Sequence, residues 1–104
     1  MIHSVTPQQA AELISRGNLD LVDVREPQEW SNGHLAGSRL IPLGRLRANP
    51  RELLPRDGII FVCAAGVRSQ TAAQVAEANG LSNLYNLTGG TRGWVQAGLP
   101  LVRD

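Results

Sequence analysis

The chain contains no lysine: all ten of its basic residues are arginine. That absence excludes a P-loop lysine, a Schiff-base lysine and a pyridoxal-phosphate anchor together. Cysteine is almost as scarce, with Cys63 alone. One cysteine forms no internal disulfide, no CxxC redox pair and no iron–sulfur ligand set. The two histidines, His3 and His34, follow no recognised zinc spacing, so neither a metal nor a cofactor is expected. Two tryptophans, one tyrosine and one phenylalanine are too few for a base-stacking surface. Ten basic against nine acidic residues leave a net charge of +1, too balanced to draw nucleic acid or an anionic membrane. No apolar run approaches the roughly 18–20 residues of a membrane span, and Met1 to Gln9 carries neither a basic nor an apolar leader region. The expectation is a soluble, cytoplasmic protein without nucleic-acid or membrane partners.

What is present is globular: 104 residues, 42% hydrophobic and 18% charged, enough for one core and therefore one domain over 1–104. Turn and cap signals divide the chain into alternating strands and helices. Thr6-Pro7-Gln8-Gln9 offers an N-cap, a proline at the first helical position and a glutamine three residues after the cap. Ala10, Leu13 and Ile14 give that helix an apolar stripe, and Gly17 ends it. Leu19 to Val24 reads as a buried strand, Pro27 to Ser31 as a helical turn and Leu40-Ile41 as a short strand. Pro50 breaks the apolar pattern between Leu43 and Leu54 into two pieces. Ile59-Ile60-Phe61-Val62 is the strongest strand signal, a β-favouring apolar run expected to be buried on both faces. A helix over Ser69 to Asn79, a strand over Leu84 to Leu87 and a short helix around Gly93 to Ala97 complete the pattern. Alternation of this kind predicts an α/β fold: a mostly parallel sheet of about five short strands with helices on both faces.

The chemistry concentrates in the junction Cys63-Ala64-Ala65-Gly66-Val67-Arg68-Ser69. It leaves the carboxyl end of the central strand, where open α/β sheets place their ligands. It then runs into a helix N-terminus, whose unpaired N–H groups and positive dipole end favour an anion. Gly66 permits the positive φ needed to curl several N–H groups around one centre. An ordinary cysteine is only about 3% thiolate at pH 7, and such a cradle lowers its pKa by one to several units. Arg68 adds a permanent charge at the mouth. The residues therefore predict a thiolate nucleophile acting on an anionic substrate, with the cradle rather than a histidine or carboxylate doing the activation.

These residues resemble the rhodanese-like sulfurtransferases. Asp23-Val24-Arg25-Glu26, Glu29-Trp30, Gly33-His34-Leu35-Ala36-Gly37-Ser38 and Ile41-Pro42 look like the family's N-terminal signature, with Ala36 where proline is common and Ser38 where alanine is. Cys63 to Ser69 resembles its active-site loop, and Gly89-Gly90, Gly93-Trp94 and Gly98-Leu99-Pro100 its C-terminal signature. The resemblance implies a ping-pong transfer in which Cys63 takes the outer sulfur of thiosulfate or a persulfide donor and holds it as a persulfide. Cyanide, a thiol or a sulfur-accepting protein would then remove it. The N–H groups from Ala64 through Ala65, Gly66 and Val67 to Ser69 would stabilise the charge, and Arg68 would orient the donor.

Two other classes compete. Cysteine phosphatases and arsenate reductases use a related loop, but with one more residue between cysteine and arginine than the Ala64-to-Val67 interval here. A persulfide carrier or interaction module on the same scaffold is the other; retention of Cys63 counts against a purely non-catalytic module. For the remaining residues the structural reading leads. Asp23 and Arg25 read as an ion pair, His34 as a hydrogen-bonding turn residue, Trp30 and Trp94 as packing and Gly89-Gly90 as a turn.

Overall fold

Ile59-Ile60-Phe61-Val62 has no polar side chain to turn outward, so it requires cover on both faces. In a computed structural model covering Met1–Asp104 it forms the central strand of a five-stranded sheet, with every residue fully buried. The elements run β1 (Ile2–Val5), α1 (Pro7–Ser15), β2 (Asp20–Asp23), α2 (Pro27–Ser31), β3 (Arg39–Leu40), α3 (Leu43–Ala48), α4 (Pro50–Leu53), β4 (Ile59–Val62), α5 (Arg68–Ala78), β5 (Leu84–Leu87) and α6 (Gly90–Gln96). The strand order is β1-β5-β4-β2-β3, and all pairings are parallel.

Side chains alternate across the sheet and divide the core in two. Phe61 and Ile59, with Val22 and Val24, pack beneath Leu46, Leu54, Ala72, Ala73 and Ala76. Ile60 and Val62, with Leu21, Val5 and Leu87, pack against Ala10, Leu35 and Trp94 on the opposite face. The alanines of α5 let its backbone approach the sheet closely. Helix α1 starts as its sequence suggests: Gln9 N–H donates to Thr6 Oγ1 at 3.2 Å and the Gln9 side chain accepts from Thr6 N–H at 2.9 Å. Pro50 divides α3 from α4 at Asn49.

One strand and several boundaries differ from expectation. Strand β1 carries no sequence signal, because it lies at the sheet edge and exposes His3 and Ser4 between its two apolar ends. Helix α5 begins one residue early, at Arg68, and α6 begins at Gly90 rather than Gly93. Strand β3 shifts back to Arg39–Leu40, although Ile41 N–H still reaches the Asp23 carbonyl at 2.9 Å. No helix is long and apolar enough to cross a membrane.

The topology brings two loops to one edge of the sheet. Chain leaving β4 feeds α5 on the Phe61 face, whereas chain leaving the adjacent β5 feeds α6, whose Trp94 packs on the Ile60 face. The two loops meet at the carboxyl edge of the sheet, the edge at which a parallel α/β fold places its ligand.

Candidate active site

Cys63 is the first residue beyond β4 and only 1% exposed. From it the chain turns through Ala64, Ala65, Gly66 and Val67 into α5, with Gly66 at φ +94° as the tight curl demands. The outside of this loop is tied down by its carbonyls. That of Cys63 accepts from Thr91 N–H at 2.8 Å, that of Ala64 from Arg92 N–H at 3.1 Å and that of Gly66 from Asn86 Nδ2 at 3.1 Å. With these acceptors fixed outward, N–H groups turn inward. Gly66 N–H donates to Cys63 Sγ at 3.1 Å, and the N–H groups of Ala65 and Ser69 also support the sulfur.

This is why Gly90 is more than a turn residue. It adopts φ +58°, and a Cβ there would stand 2.6 Å from the Ala64 carbonyl oxygen and closer still to that of Cys63. The start of α6 packs backbone to backbone against the loop.

Burial raises the Cys63 pKa most strongly, yet the Ser69 hydroxyl and the N–H groups of Ser69, Ala65 and Gly66 together bring it below the ordinary thiol value. Ser69 Oγ stands 3.3 Å from Sγ and donates a short hydrogen bond to Asn86 Oδ1. Of the residues singled out in the sequence, Cys63, Ala65, Gly66 and Ser69 therefore converge on one sulfur. Ala64 contributes its carbonyl to α6 instead, and Val67 exposes 73% of its surface above the loop.

Arg68 lies at the rim and already has an anionic partner. Its Nη1 and Nη2 donate to Glu29 Oε1 and Oε2 at 2.7 and 2.9 Å, a bidentate pair about one third exposed. The Arg68 hydrogen bond is the main reason the Glu29 carboxyl falls to a pKa of about 2. Glu29 also accepts from Glu26 N–H at 2.9 Å, which holds the first turn of α2. Deeper in the protein, Arg25 closes on the fully buried Asp23 through Nε and Nη2, at 3.0 and 2.8 Å. The remaining Arg25 protons reach the carbonyls of Gly33 and Glu29, at 2.8 and 3.3 Å. The ion pair expected at Asp23 and Arg25 is thus present, and it anchors both ends of the α2 segment.

The other expectations resolve as packing. His34 Nδ1 meets the Trp30 carbonyl at 2.9 Å and Nε2 meets Asp104 at 3.1 Å, with the Trp30 ring stacked 3.5 Å away. Trp94 is buried and donates Nε1–H to the Pro100 carbonyl at 2.8 Å. Two site residues escaped the sequence reading in their present roles. Glu29 lies 39 residues from its partner Arg68, with no local sign of the pairing. Asn86 left one clue, a polar side chain inside the apolar strand Leu84-Tyr85-Asn86-Leu87.

No three His, Cys, Asp or Glu side chains gather as metal ligands. The two surface hollows, about 250 and 260 Å³, are lined from α1 and from α1 with α6, away from Cys63.

The site is thus a single buried cysteine at the carboxyl edge of a parallel sheet, with backbone donors beside its sulfur and an arginine at the rim. The chain belongs to the rhodanese-like domain family, whose family model matches residues 6–97. It is 37% identical over 90 residues to the thiosulfate sulfurtransferase GlpE of Ectopseudomonas mendocina, covering 86% of this chain and 82% of that one. Among solved structures, a rhodanese-related protein from Thermoplasma volcanium superposes with TM-score 0.87 at 33% identity, over 98% of this chain and 99% of the other. A protein of unknown function from Rhodopseudomonas palustris, described as a possible tyrosine phosphatase, gives TM-score 0.86 at 28% identity, over 97% and 85%. Two further curated relatives, from Bacillus subtilis and Synechocystis and both described as uncharacterized, are longer; the chain spans 59% and 56% of them. Other relatives carry names of sulfur transfer or sulfur carriage.

Proposed function

We propose that the domain is a sulfurtransferase that moves sulfane sulfur through a persulfide on Cys63. The observation that carries this reading is the Gly66 N–H donating to a single buried sulfur at 3.1 Å, with the Ala65 and Ser69 N–H groups also lowering the pKa of that thiol. In the first half-reaction the Cys63 thiolate attacks the outer sulfur of thiosulfate. A Cys63 Sγ–S bond forms, the S–S bond of thiosulfate breaks, and its electron pair leaves with sulfite. The persulfide carries the negative charge into the loop, where preorganised donors stabilise it without reorganising. In the second half-reaction cyanide or a thiolate attacks the outer sulfur, and the electron pair returns to Cys63. Arg68 orients the sulfonate end of the donor by sharing or releasing Glu29. With no second cysteine to resolve the persulfide, discharge is intermolecular. A lone reduced thiol suits a reducing compartment such as the cytoplasm.

The test is intact mass after thiosulfate treatment and desalting, beside Cys63→Ser, followed by a cyanide challenge. Gain of one sulfur atom in the wild type alone, discharged as thiocyanate, supports the reading. Absence of that gain with both thiosulfate and a low-molecular-weight persulfide overturns it. The relatives named for sulfur carriage favour a second form of the same chemistry, in which loading is normal, turnover on cyanide is poor and a partner protein is the efficient acceptor. The likeness to a possible tyrosine phosphatase gives the third arm. Aryl phosphate hydrolysis by the wild type and not by Cys63→Ser would replace the sulfur reading.

A further inference from the structure

The Ser69 hydroxyl has one proton and two neighbours that could take it. On one side stands Cys63 Sγ at 3.3 Å, and on the other Asn86 Oδ1. The orientation of the Asn86 amide is not free, because its Nδ2 must donate to the Gly66 carbonyl at 3.1 Å. Oδ1 is therefore the atom facing Ser69, and an amide oxygen only accepts. The Ser69 proton is committed to Asn86, and the hydroxyl turns its lone pairs toward the sulfur. That arrangement welcomes an S–H donor, and the hydroxyl favours the thiolate only when its proton swings from Asn86 Oδ1 to the sulfur. When Cys63 loses its proton to solvent, Ser69 can turn its own proton to the sulfur only by stripping Asn86 Oδ1, at a residue 6% exposed.

We propose that Asn86 is a positioning residue of this site: by holding the Ser69 proton it sets the pH at which Cys63 becomes a thiolate. This deepens the sulfurtransferase reading and rests on Cys63 as the reacting group. The charged groups that face the sulfur act separately. Arg68 from α5 is neutralised by Glu29 of α2, and Asp23 at the end of β2 by Arg25. Arg92 of α6 is exposed and reaches the loop through its backbone N–H. None of these side chains hydrogen-bonds to Ser69 or Asn86. Strand β1 brings only Ser4 opposite Asn86, and β4 brings Phe61.

The experiment is the pH profile of iodoacetamide alkylation of Cys63, which reads the thiolate whatever its cargo. Asn86→Leu frees the Ser69 proton for the sulfur and lowers the midpoint by about one pH unit, the order expected when one buried hydrogen bond changes sides. In a Ser69→Ala background the same substitution has no effect on the midpoint, because the proton it would release is gone. A merely structural role, in which Asn86 only braces the Gly66 carbonyl, predicts the same change in both backgrounds and would overturn the proposal. So would an unchanged or raised midpoint in Asn86→Leu. If that variant does not fold, the wild type decides by NMR. The Asn86 side-chain amide resonances must move through the Cys63 midpoint, and resonances that stay put refute the coupling. Failure of sulfur loading with the alkylation result intact would remove the sulfur reading and leave this one standing.

Discussion

Gly90→Ala is the substitution that tests most directly whether the loop around Cys63 is shaped by the fold or by its own sequence. Two costs combine. An alanine at φ +58° bears the left-handed penalty of about 1–2 kcal/mol. Its Cβ also falls within 2.6 Å of the Ala64 carbonyl oxygen, and this overpacking of backbone against backbone costs about 1–3 kcal/mol. The total of about 2–5 kcal/mol is a large part of the ~5–15 kcal/mol that holds a domain together. At about 4–8 °C per kcal/mol it lowers Tm by at least about 8 °C. Gly80→Ala is the control, since Gly80 has φ +87° but nothing within 4 Å of the added Cβ. It carries the first cost alone.

The difference between the two variants is therefore the price of close approach, about 1–3 kcal/mol. The clash also has a chemical consequence. To relieve it, α6 must withdraw from the loop, stretching the bonds from Thr91 N–H to the Cys63 carbonyl and from Arg92 N–H to that of Ala64. The inward N–H groups then lose their fixed aim, so the alkylation midpoint of Cys63 rises toward the ordinary thiol value. Thermal melts followed by circular dichroism and the alkylation profile are measured on both variants. Equal Tm losses in Gly80→Ala and Gly90→Ala would refute the packing argument. A low-melting Gly90→Ala with an unchanged alkylation midpoint would refute the link from α6 to the sulfur.

Four further outcomes are expected. Glu29 has its folded pKa lowered to about 2 from an ordinary 4.5, so its stabilising contribution is complete above about pH 4.5 and is lost as pH falls toward 2. The pair is a third exposed, which limits that contribution to under about 1 kcal/mol; Glu29→Gln should flatten the acid limb of a Tm-against-pH curve, and an unaltered limb would place the acid sensitivity elsewhere. The same variant frees Arg68 and should lower KM for thiosulfate by about two- to five-fold, measured by thiocyanate formation. Arg68→Ala should reduce kcat/KM for thiosulfate by about ten- to a hundred-fold relative to an uncharged persulfide donor, the scale of hydrogen bonds to a charged group; equal losses on both donors would end its orienting role. Arg25→Met leaves the fully buried Asp23 carboxyl without its partner, costing about 3–5 kcal/mol in urea unfolding. Asp23→Leu/Arg25→Met should recover most of that loss, and a double variant as unstable as the single would show that the bonds to Gly33 and Glu29 matter more than the pair.

Local chemistry was legible in the sequence wherever a few adjacent residues settle the matter. The Thr6–Gln9 capping box, the break at Pro50, the two-sided burial of Ile59 to Val62 and the curl at Gly66 each depend on neighbours within a turn. Strand β1 was not legible, since pairing with β5 alone makes Ile2 to Val5 a strand. The partners of the loop were hidden for the same reason. Arg68 reads as a free charge until α2 folds back with Glu29, and Ser69 reads as a loop donor until β5 places Asn86 behind it. Gly90 reads as a turn because its constraint is the carbonyl of a residue on another loop.

The arrangement of charge bears on how the proposed reaction reaches a deeply buried thiol. Two opposite pairs lie in series, Asp23–Arg25 in the interior and Glu29–Arg68 at the rim, and the Glu29 backbone carbonyl accepts from Arg25. The interior pair fixes α2, and α2 fixes the carboxylate that holds Arg68 in place. Neutralised pairs leave little net field at the sulfur, so the thiolate depends on short-range donors from the loop backbone rather than on a free cation. An anion arriving at the mouth does not meet a bare positive charge either; it must compete with Glu29 for a preorganised guanidinium. Under the proposed sulfur transfer, the donor is one that offers charge to Arg68 and a polarisable atom to the loop at the same time, which is the shape of a sulfane sulfur attached to an oxyanion.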